Sequence, residues 1–406
     1  MSYPTNQTMI EAPEGSILDV VARQWATQQS AVVPVRSTVR VGGSTLIPVA
    51  IDNGNDALKG ATLAPLASEE EGSLTSSLTT LRVPTAFAQA QAIQGAREVS
   101  YSCDGTSFWI GDVALRHRGG ALRIGPTRQR LDDDRQRWFI GASIVELLRA
   151  AGYPPGEYQI ALCLAVPNME VIVDQSGMPS VKERTRESMK RHLKGKVWEI
   201  TRDDDSRVTE QWIIKVAHVL PFAQTSGTVV AVTRTPTGKP ALHLDDGMVV
   251  IDVGGGDLHV CEVGFNPSRM INRRPGDGTI RIARALRNDV KFNGIIKNDV
   301  EAQQALVRRW VTKSSRRVTI DEDVQRVVAA SGQSMLADVL ADLRDSNLFV
   351  TITGGGVQLL NGLLTEVLAQ EEKQAGRDYL IVDGPVSSLL NVVGALFALV
   401  FKASGK

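Results

Sequence analysis

Apolar positions follow two periods along the chain, and the change of period places the elements. Aliphatic runs that end on an aspartate occur twice, as Leu46-Ile-Pro-Val-Ala-Ile-Asp52 and Val249-Val-Ile-Asp252. A short turn of small residues follows each, Asn53 to Asn55 in the first and Gly254 to Gly256 in the second. A second strand-like run comes next, so both stretches predict β-hairpins. Further strands are predicted over 81–87, broken by Pro84, and in pieces over 99–114 with turns at Asp104-Gly105 and Gly111-Asp112. Others are predicted over 158–166, 196–200, 211–219, 347–353 and 379–383. Helical spacing predicts a helix over 132–151, opened by aspartates and stopped by Pro154-Pro155-Gly156. It also predicts helices over 185–193, from about 224, over 279–290, one or two over 321–343, and over 357–368 and 387–401. Residues 68–80, acidic and then rich in Ser and Thr, read as a surface loop.

Residues 1–45 read as an N-terminal extension. Within it Ser16 caps a short helix with Asp19 in the first turn, and Leu18, Val21, Ala22 and Trp25 share one face. Three readings stay open for it: a helix packed on its own domain, an arm docked on a neighbouring subunit, or disorder.

A length of 406 residues favours two domains or more. Lys plus Arg and Asp plus Glu are 45 each, so formal charge is zero, which excludes a globally basic nucleic-acid binder and leaves room only for a local patch. Neutrality also leaves little long-range repulsion against self-association. Arg116, His117, Arg118, Arg123, Arg128 and Arg130 make 116–130 basic, read as a solvated face or loop, with a polymer contact or an acidic partner as the alternative. Cys103, Cys163 and Cys261 have no metal-binding spacing and read as reduced thiols, which suits a cytoplasmic protein. Residues 1–15 lack the basic start and apolar core of a secretory signal. No membrane span is expected: the longest apolar run, 389–400, is interrupted by Asn391 and Gly394 and falls short of the roughly 20 residues a bilayer needs.

The candidate chemistry sits at the hairpin turns. Three adjacent glycines carry no Cβ, so the backbone can approach a phosphate and aim its N–H groups at it. Asp252, at the end of its strand, is placed to hold the accompanying cation directly or through water. The plain alternative is a tight turn without a ligand. The Asp52 hairpin repeats the arrangement and adds a cation, Lys59. Gln224, at the start of a helix after Leu220-Pro-Phe-Ala, can orient a water for attack on a γ-phosphate, or be an ordinary helix-start residue. A third triplet, Gly354-Gly355-Gly356, lies between a strand and a helix, where N–H groups and the positive helix end meet a ligand. No Gly-x-x-x-x-Gly-Lys-Ser/Thr loop occurs.

In this order, Asp52-Asn-Gly-Asn-Asp-Ala-Leu-Lys59, Asp252-Val-Gly-Gly-Gly-Asp257 and Thr353-Gly-Gly-Gly356 resemble the two phosphate loops and the adenosine-site glycines of the actin-like ATPase superfamily. The ending, Asp383-Gly-Pro-Val-Ser-Ser-Leu-Leu-Asn-Val-Val-Gly394, resembles the last segment of the ParM-like plasmid-segregation actins of bacteria and archaea. The resemblance implies an α/β fold of two actin-like (ribonuclease H-like) domains hinged around a nucleotide cleft. Domain I would span 46–223 plus 385–406, and domain II 224–384. The cofactors implied are ATP or ADP with Mg2+.

Asp52 and Asp252 would be the metal residues and, with Gln224, the catalytic ones. Asn53, Gly54, Asn55 and Lys59, with Gly254, Gly255, Gly256 and Asp257, would bind phosphates, and Gly354, Gly355 and Gly356 would lie beside the adenosine. Two departures stand out. ParM relatives usually place a glutamate directly after the proline, where this chain has Phe222, and actin uses glutamine. The extension also has no place in the compact plasmid relatives.

The function implied is an ATPase that polymerises with itself into dynamic filaments, for plasmid or other DNA segregation. A separate DNA-binding adaptor is expected as its partner, since no direct nucleic-acid motif is visible. A small-molecule kinase of the same superfamily and a non-polymerising ATP-gated scaffold are the alternatives.

Overall fold

Three parallel strands, Ser44–Asn53, Glu157–Val166 and Thr209–Ala223, form the spine of a 12-stranded sheet, with Glu157–Val166 in the middle. The first two carry apolar runs buried on both faces, as parallel strands covered by helices require, whereas Thr209–Ala223 ends half-buried. Antiparallel strands extend the sheet both ways. Ala57–Ala64, Ser76–Pro84 and Ala31–Val33 follow on one side, and Val197–Asp203, Ser100–Cys103, Thr106–Ile110, Ala86–Gln89 and Gly120–Ala121 on the other. The Ser100–Ile110 hairpin turns on Asp104 and Gly105, both with positive φ, as an Asp-Gly hairpin turn needs. A second sheet has five strands in the order Ser268–Asp277, Asp257–Phe265, Gly247–Val253, Phe349–Thr353, Tyr379–Ile381.

The computed structural model describes residues 12–27, 31–66, 74–90, 98–117, 120–122, 127–173, 179–204, 208–265, 268–343, 348–375, 379–382 and 384–405. The start of the expected extension, the acidic part of the 68–80 loop, Arg118, Arg123 and Asp383 lie outside these residues. The chain divides into a larger unit of Ala12–Asp174, Pro179–His243 and Leu389–Lys406, and a smaller unit containing Leu244–Ser388.

This division differs from the boundaries expected at 45/46, 223/224 and 384/385. The helix Gln224–Thr233 belongs to the larger unit because it packs on the closing helix, Leu390–Ala403. Their backbones meet where both sequences have glycine. A Cβ on Gly227 would lie 2.0 Å from the Asn391 carbonyl oxygen, and one on Gly394 would lie 1.8 Å from that of Gly227. The Thr228 hydroxyl donates to Asn391 Oδ1 at 2.8 Å beside the crossing. The closing helix is apolar nearly all round and buried accordingly. Residues 12–45 join the same unit. Ser16 Oγ accepts from Asp19 N at 3.0 Å, capping the helix Ile17–Thr27 as expected. Ile17, Leu18 and Val21 are buried, whereas Trp25 is exposed. The Ile17–Thr27 helix thus packs within its own unit.

Other elements differ in detail. Residues 76–80 belong to a strand rather than a loop, because Ser76, Ser77 and Leu78 are buried in the sheet beside Ala57–Ala64. Gly111-Asp112 opens a helix, Gly111–Arg116, instead of a turn. The segment 321–343 is one helix, Asp321–Leu343, and Val357–Ala375 runs on past 368. A small hairpin, Trp310–Lys313 with Arg316–Thr319, was not anticipated from periodicity. The smaller unit's core packs Ile251 and Val253 of its central strand against Ile282, Leu286, Val324, Leu336 and Leu360 of its helices. Among the described residues no helix is long and apolar enough to cross a membrane.

Candidate functional site

In the larger unit, Asp52 stands at the carboxyl end of the Ser44–Asn53 strand, across from Lys59 of the antiparallel partner and Ala165 of the parallel one. Its carboxylate is buried, with 3% of the residue exposed. Lys59 Nζ lies 3.6 Å from Asp52 Oδ2, and Gln224 Nε2 donates to both carboxylate oxygens at 3.3 Å. Gln224 is the first residue of its helix, which begins where the Thr209–Ala223 strand ends. Ala223 offers that helix no capping side chain. Asn168, two residues past the Glu157–Val166 strand, does so instead, its Oδ1 accepting from Thr225 N at 3.3 Å and Thr225 Oγ1 at 3.1 Å. Three parallel strands and a borrowed cap thus fix the amide against the carboxylate.

The turn after Asp52 is held by residues that the sequence did not single out for it. Asn53 Nδ2 donates to Gln136 Oε1 at 3.1 Å. The Arg130 guanidinium donates to the Asn53 carbonyl, and at 2.8 Å to Asn55 Oδ1. The Thr85 hydroxyl donates to the Gly54 carbonyl at 2.8 Å. Arg130 was expected on a solvated face; a helix, Thr127–Leu131, turns it onto this loop. Only its position in a basic stretch signalled it, because the contact spans 75 residues or more. Burial works to raise the Asp56 carboxyl, but the Lys59 ammonium and the Arg82 guanidinium outweigh it and hold the group below the ordinary aspartate value.

In the smaller unit, the Asp252 strand leads into the glycine turn. Gly254 N donates to the Asp257 carbonyl at 2.9 Å and closes it. All three glycine carbonyls then accept from the start of the helix Ile280–Asn288: Gly254 O from Thr279 N at 3.0 Å, Gly255 O from Ile280 N at 2.8 Å, and Gly256 O from Gly278 N at 3.0 Å. With these carbonyls committed, the N–H groups of Gly255 and Gly256 donate to no protein acceptor among the described residues and are available to an anion.

The third glycine turn joins the same unit's site. Thr353 pairs with Asp252 across parallel strands. Gly354 has φ +102°, and a Cβ there would lie 2.4 Å from Asp252 Oδ1 and 2.5 Å from the Val253 carbonyl oxygen, so only glycine fits. Gly356 N donates to the Val253 carbonyl at 2.8 Å. Ser387 ties the turn from the other side. Its hydroxyl donates to the Gly354 carbonyl at 2.9 Å, and its own carbonyl accepts from Thr353 Oγ1 at 2.8 Å. Val357–Ala375 then begins, pointing its N-terminus into the turn.

Asp52, Asn53, Gly54, Asn55, Lys59 and Gln224 therefore gather in one unit. Asp252, Gly254, Gly255, Gly256, Asp257, Gly354, Gly355 and Gly356 gather in the other. Among the described residues no group of three or more His, Cys, Asp or Glu side chains could hold a metal by itself. Asp52 and Asp252 are buried at the turns of their respective units, and a carboxylate is the kind of oxygen ligand a hard cation such as Mg2+ takes.

No family model matches the chain, and no curated protein matches it by sequence. Solved structures do match it by fold. The archaeal actin homologue Ta0583 in complex with ADP has a TM-score of 0.63 at 17% identity, over 86% of this chain and 98% of its own. The actin-like protein Alp7A has a TM-score of 0.62 at 11% identity, over 88% and 96%. Bacillus thuringiensis ParM with ATP has a TM-score of 0.58 at 13% identity, over 88% and 99%. The chain has the actin-like α/β fold, shared with ParM.

Proposed function

We propose that this chain binds and hydrolyses ATP and polymerises with itself into dynamic cytoplasmic filaments that segregate plasmid or other DNA, cargo being attached through a separate DNA-binding adaptor. The observation that carries the proposal is the Gln224 amide seated on buried Asp52, with Lys59 beside it. Neighbours solved with ADP and with ATP support the choice of nucleotide.

In this reading each unit carries groups suited to a nucleotide. Gly54, Asn55 and Lys59 meet the phosphates from one unit, and the N–H groups of Gly255 and Gly256 from the other. Gly354 to Gly356 lie by the adenosine. Because Gln224 Nε2 is tied to Asp52, its Oε1 is left to accept from a water and orient it; a glutamine cannot take the proton as a strong base. Asp52 and Asp252 would hold Mg2+ and its waters. Bound there, the ion supplies charge neutralisation to the transferring phosphoryl group.

A kinase would instead need a carboxylate base open to a substrate hydroxyl. Glu170 is a buried carboxylate of the larger unit, but its oxygens accept from Thr127 N at 2.5 Å and Thr185 Oγ1 at 2.8 Å, which weighs against that reading. Asp252→Ala tests the site. ATP binding and phosphate release that depend on magnesium should be lost in a variant with an unchanged circular dichroism spectrum. Unchanged turnover would remove the assignment.

A further inference from the structure

The unanticipated hairpin of the smaller unit has a composition unlike the rest of this neutral chain. From Arg308 to Thr319 it carries Arg308, Arg309, Lys313, Arg316 and Arg317 and no acidic residue. Residues 312–319 are exposed throughout, and so is Arg308.

Several other cations of the same unit are neutralised. Arg284 pairs with Asp277 and Asp299, Arg287 with Asp299, and Arg326 with Asp289 and Asp323. None of the five hairpin cations forms an ion pair among the described residues. The acids that follow, Asp321 to Asp323, open the next helix at the hairpin's base. The tip lies about 10 Å further out, three strand rises away.

The hairpin is also shaped for this exposure. Val311 points into the core and anchors it. On the opposite face Arg317 stacks on the Trp310 ring with its guanidinium carbon 4.5 Å from the centroid, and Arg308 approaches the same ring at 5.7 Å. The ring orders two guanidinium groups without neutralising them. Lys313 and Arg316 pair across the strands next to the tip. The turn itself is Ser314-Ser315, both with positive φ, 47° and 62°. A two-residue turn of this type favours Asn-Gly, so two serines there hold an unfavourable backbone and set two hydroxyls at the tip.

Arginines, a lysine and hydroxyls without a neutralising acid match a phosphate backbone. A protein partner would more often find an exposed aromatic or apolar anchor. Here the indole is covered by arginines, and Val318 is the one apolar side chain among the exposed residues 312–319. A two-stranded ribbon also has the width that a DNA major groove admits. We propose that the 310–319 hairpin is a sequence-independent contact for the phosphate backbone of duplex DNA. It goes beyond the nucleotide reading and does not depend on it. It would let the protein touch DNA directly, with any sequence discrimination left to an adaptor.

The test is fluorescence anisotropy of the whole chain with a mixed-sequence duplex of about 30 base pairs, from about 50 to about 200 mM salt. Four exposed cations, Arg308, Lys313, Arg316 and Arg317, give a salt slope near −3.6, or about 150-fold weaker binding across that range. Lys313→Gln/Arg316→Gln removes two exposed tip cations and leaves the Trp310 stack intact, so its fold should survive. Its slope should drop to about −1.8, or about 12-fold over the same range. Arg317→Gln serves as a second variant, with its melting curve read alongside. Absence of binding at low salt, or an unchanged slope in the tip variant, overturns the proposal. So does a tip variant that keeps DNA binding but loses nucleotide-dependent sedimentation, because the hairpin would then contact a second copy of the chain.

Discussion

Replacing Gln224 by leucine keeps the side chain's bulk and removes its amide. Two consequences can be separated in magnitude. The amide donates to both Asp52 oxygens at 3.3 Å, which is long for an N–H···O bond. A hydrogen bond to a charged group contributes about 1.5–3 kcal/mol at good geometry, and this one belongs at or below the lower end. Asp52 keeps Lys59 at 3.6 Å, so its charge is not stranded. For a unit of this size a loss of about 1.5 kcal/mol lowers the melting temperature by about 3–6 °C.

Turnover should suffer more. Loss of the water-orienting group is expected to slow hydrolysis by about 10²–10³-fold, equivalent to about 2.7–4 kcal/mol of transition-state stabilisation. ATP affinity should stay within about threefold, since no phosphate contact is removed. Single-turnover phosphate release and equilibrium binding of a fluorescent ATP analogue measure the two terms. A variant that hydrolyses ATP at the parent rate refutes the role of Gln224. One that loses affinity first shows that the residue holds the nucleotide instead.

Alanine at Gly227 or Gly394 places a Cβ within 2.0 Å of a facing carbonyl oxygen, so the two helices must separate. Thermal unfolding should register a loss of at least about 1–3 kcal/mol; an unchanged melting temperature would mean that the crossing is looser than described. Asp56, held below 3.8 by Lys59 and Arg82, contributes stability above the unfolded-state value that is lost as pH falls through the folded-state value. Asp56→Asn should therefore destabilise the protein at pH 7 and flatten the decline of stability below about pH 4; equal acid limbs in urea titrations would contradict this. The three cysteines are buried, with burial and then Asp104 pushing the Cys103 thiol up to about 12 and burial raising that of Cys163. An aromatic disulfide reagent at about pH 8 should label none of them until denaturant is added; rapid labelling of the native chain would place a thiol at the surface.

Both aspartate hairpins and the strand-glycine-helix turn were legible because their signals are local. An aliphatic run, an aspartate and small residues specify each turn within a dozen positions. The same holds for the Ser16 cap and the Asp104-Gly105 turn. Contacts made at long range were not legible. Arg130 reaches Asn55, Asn168 caps a helix 57 residues away, and Ser387 secures Gly354 from 33 residues on. Residues 12–45 looked like an appendage because their polar composition hides a few deciding apolar contacts, Ile17, Leu18 and Val21 among them. The boundary near 224 was misplaced for a related reason. Gly227 and Gly394 join helices 167 residues apart, and neither glycine announces its partner. The 310–319 hairpin escaped notice because its turn is Ser-Ser rather than Asn-Gly and its outer strand has no apolar alternation.

In the proposed function, ATP drives this chain into filaments that hydrolysis dissolves. The most direct measurement is light scattering and sedimentation of the pure protein with and without magnesium ATP, with phosphate release followed in parallel and the pellet viewed by electron microscopy. Filaments should form on addition of ATP, decay as phosphate is released, and persist in Gln224→Leu. A protein that binds ATP yet stays unassembled at every concentration tried would contradict it.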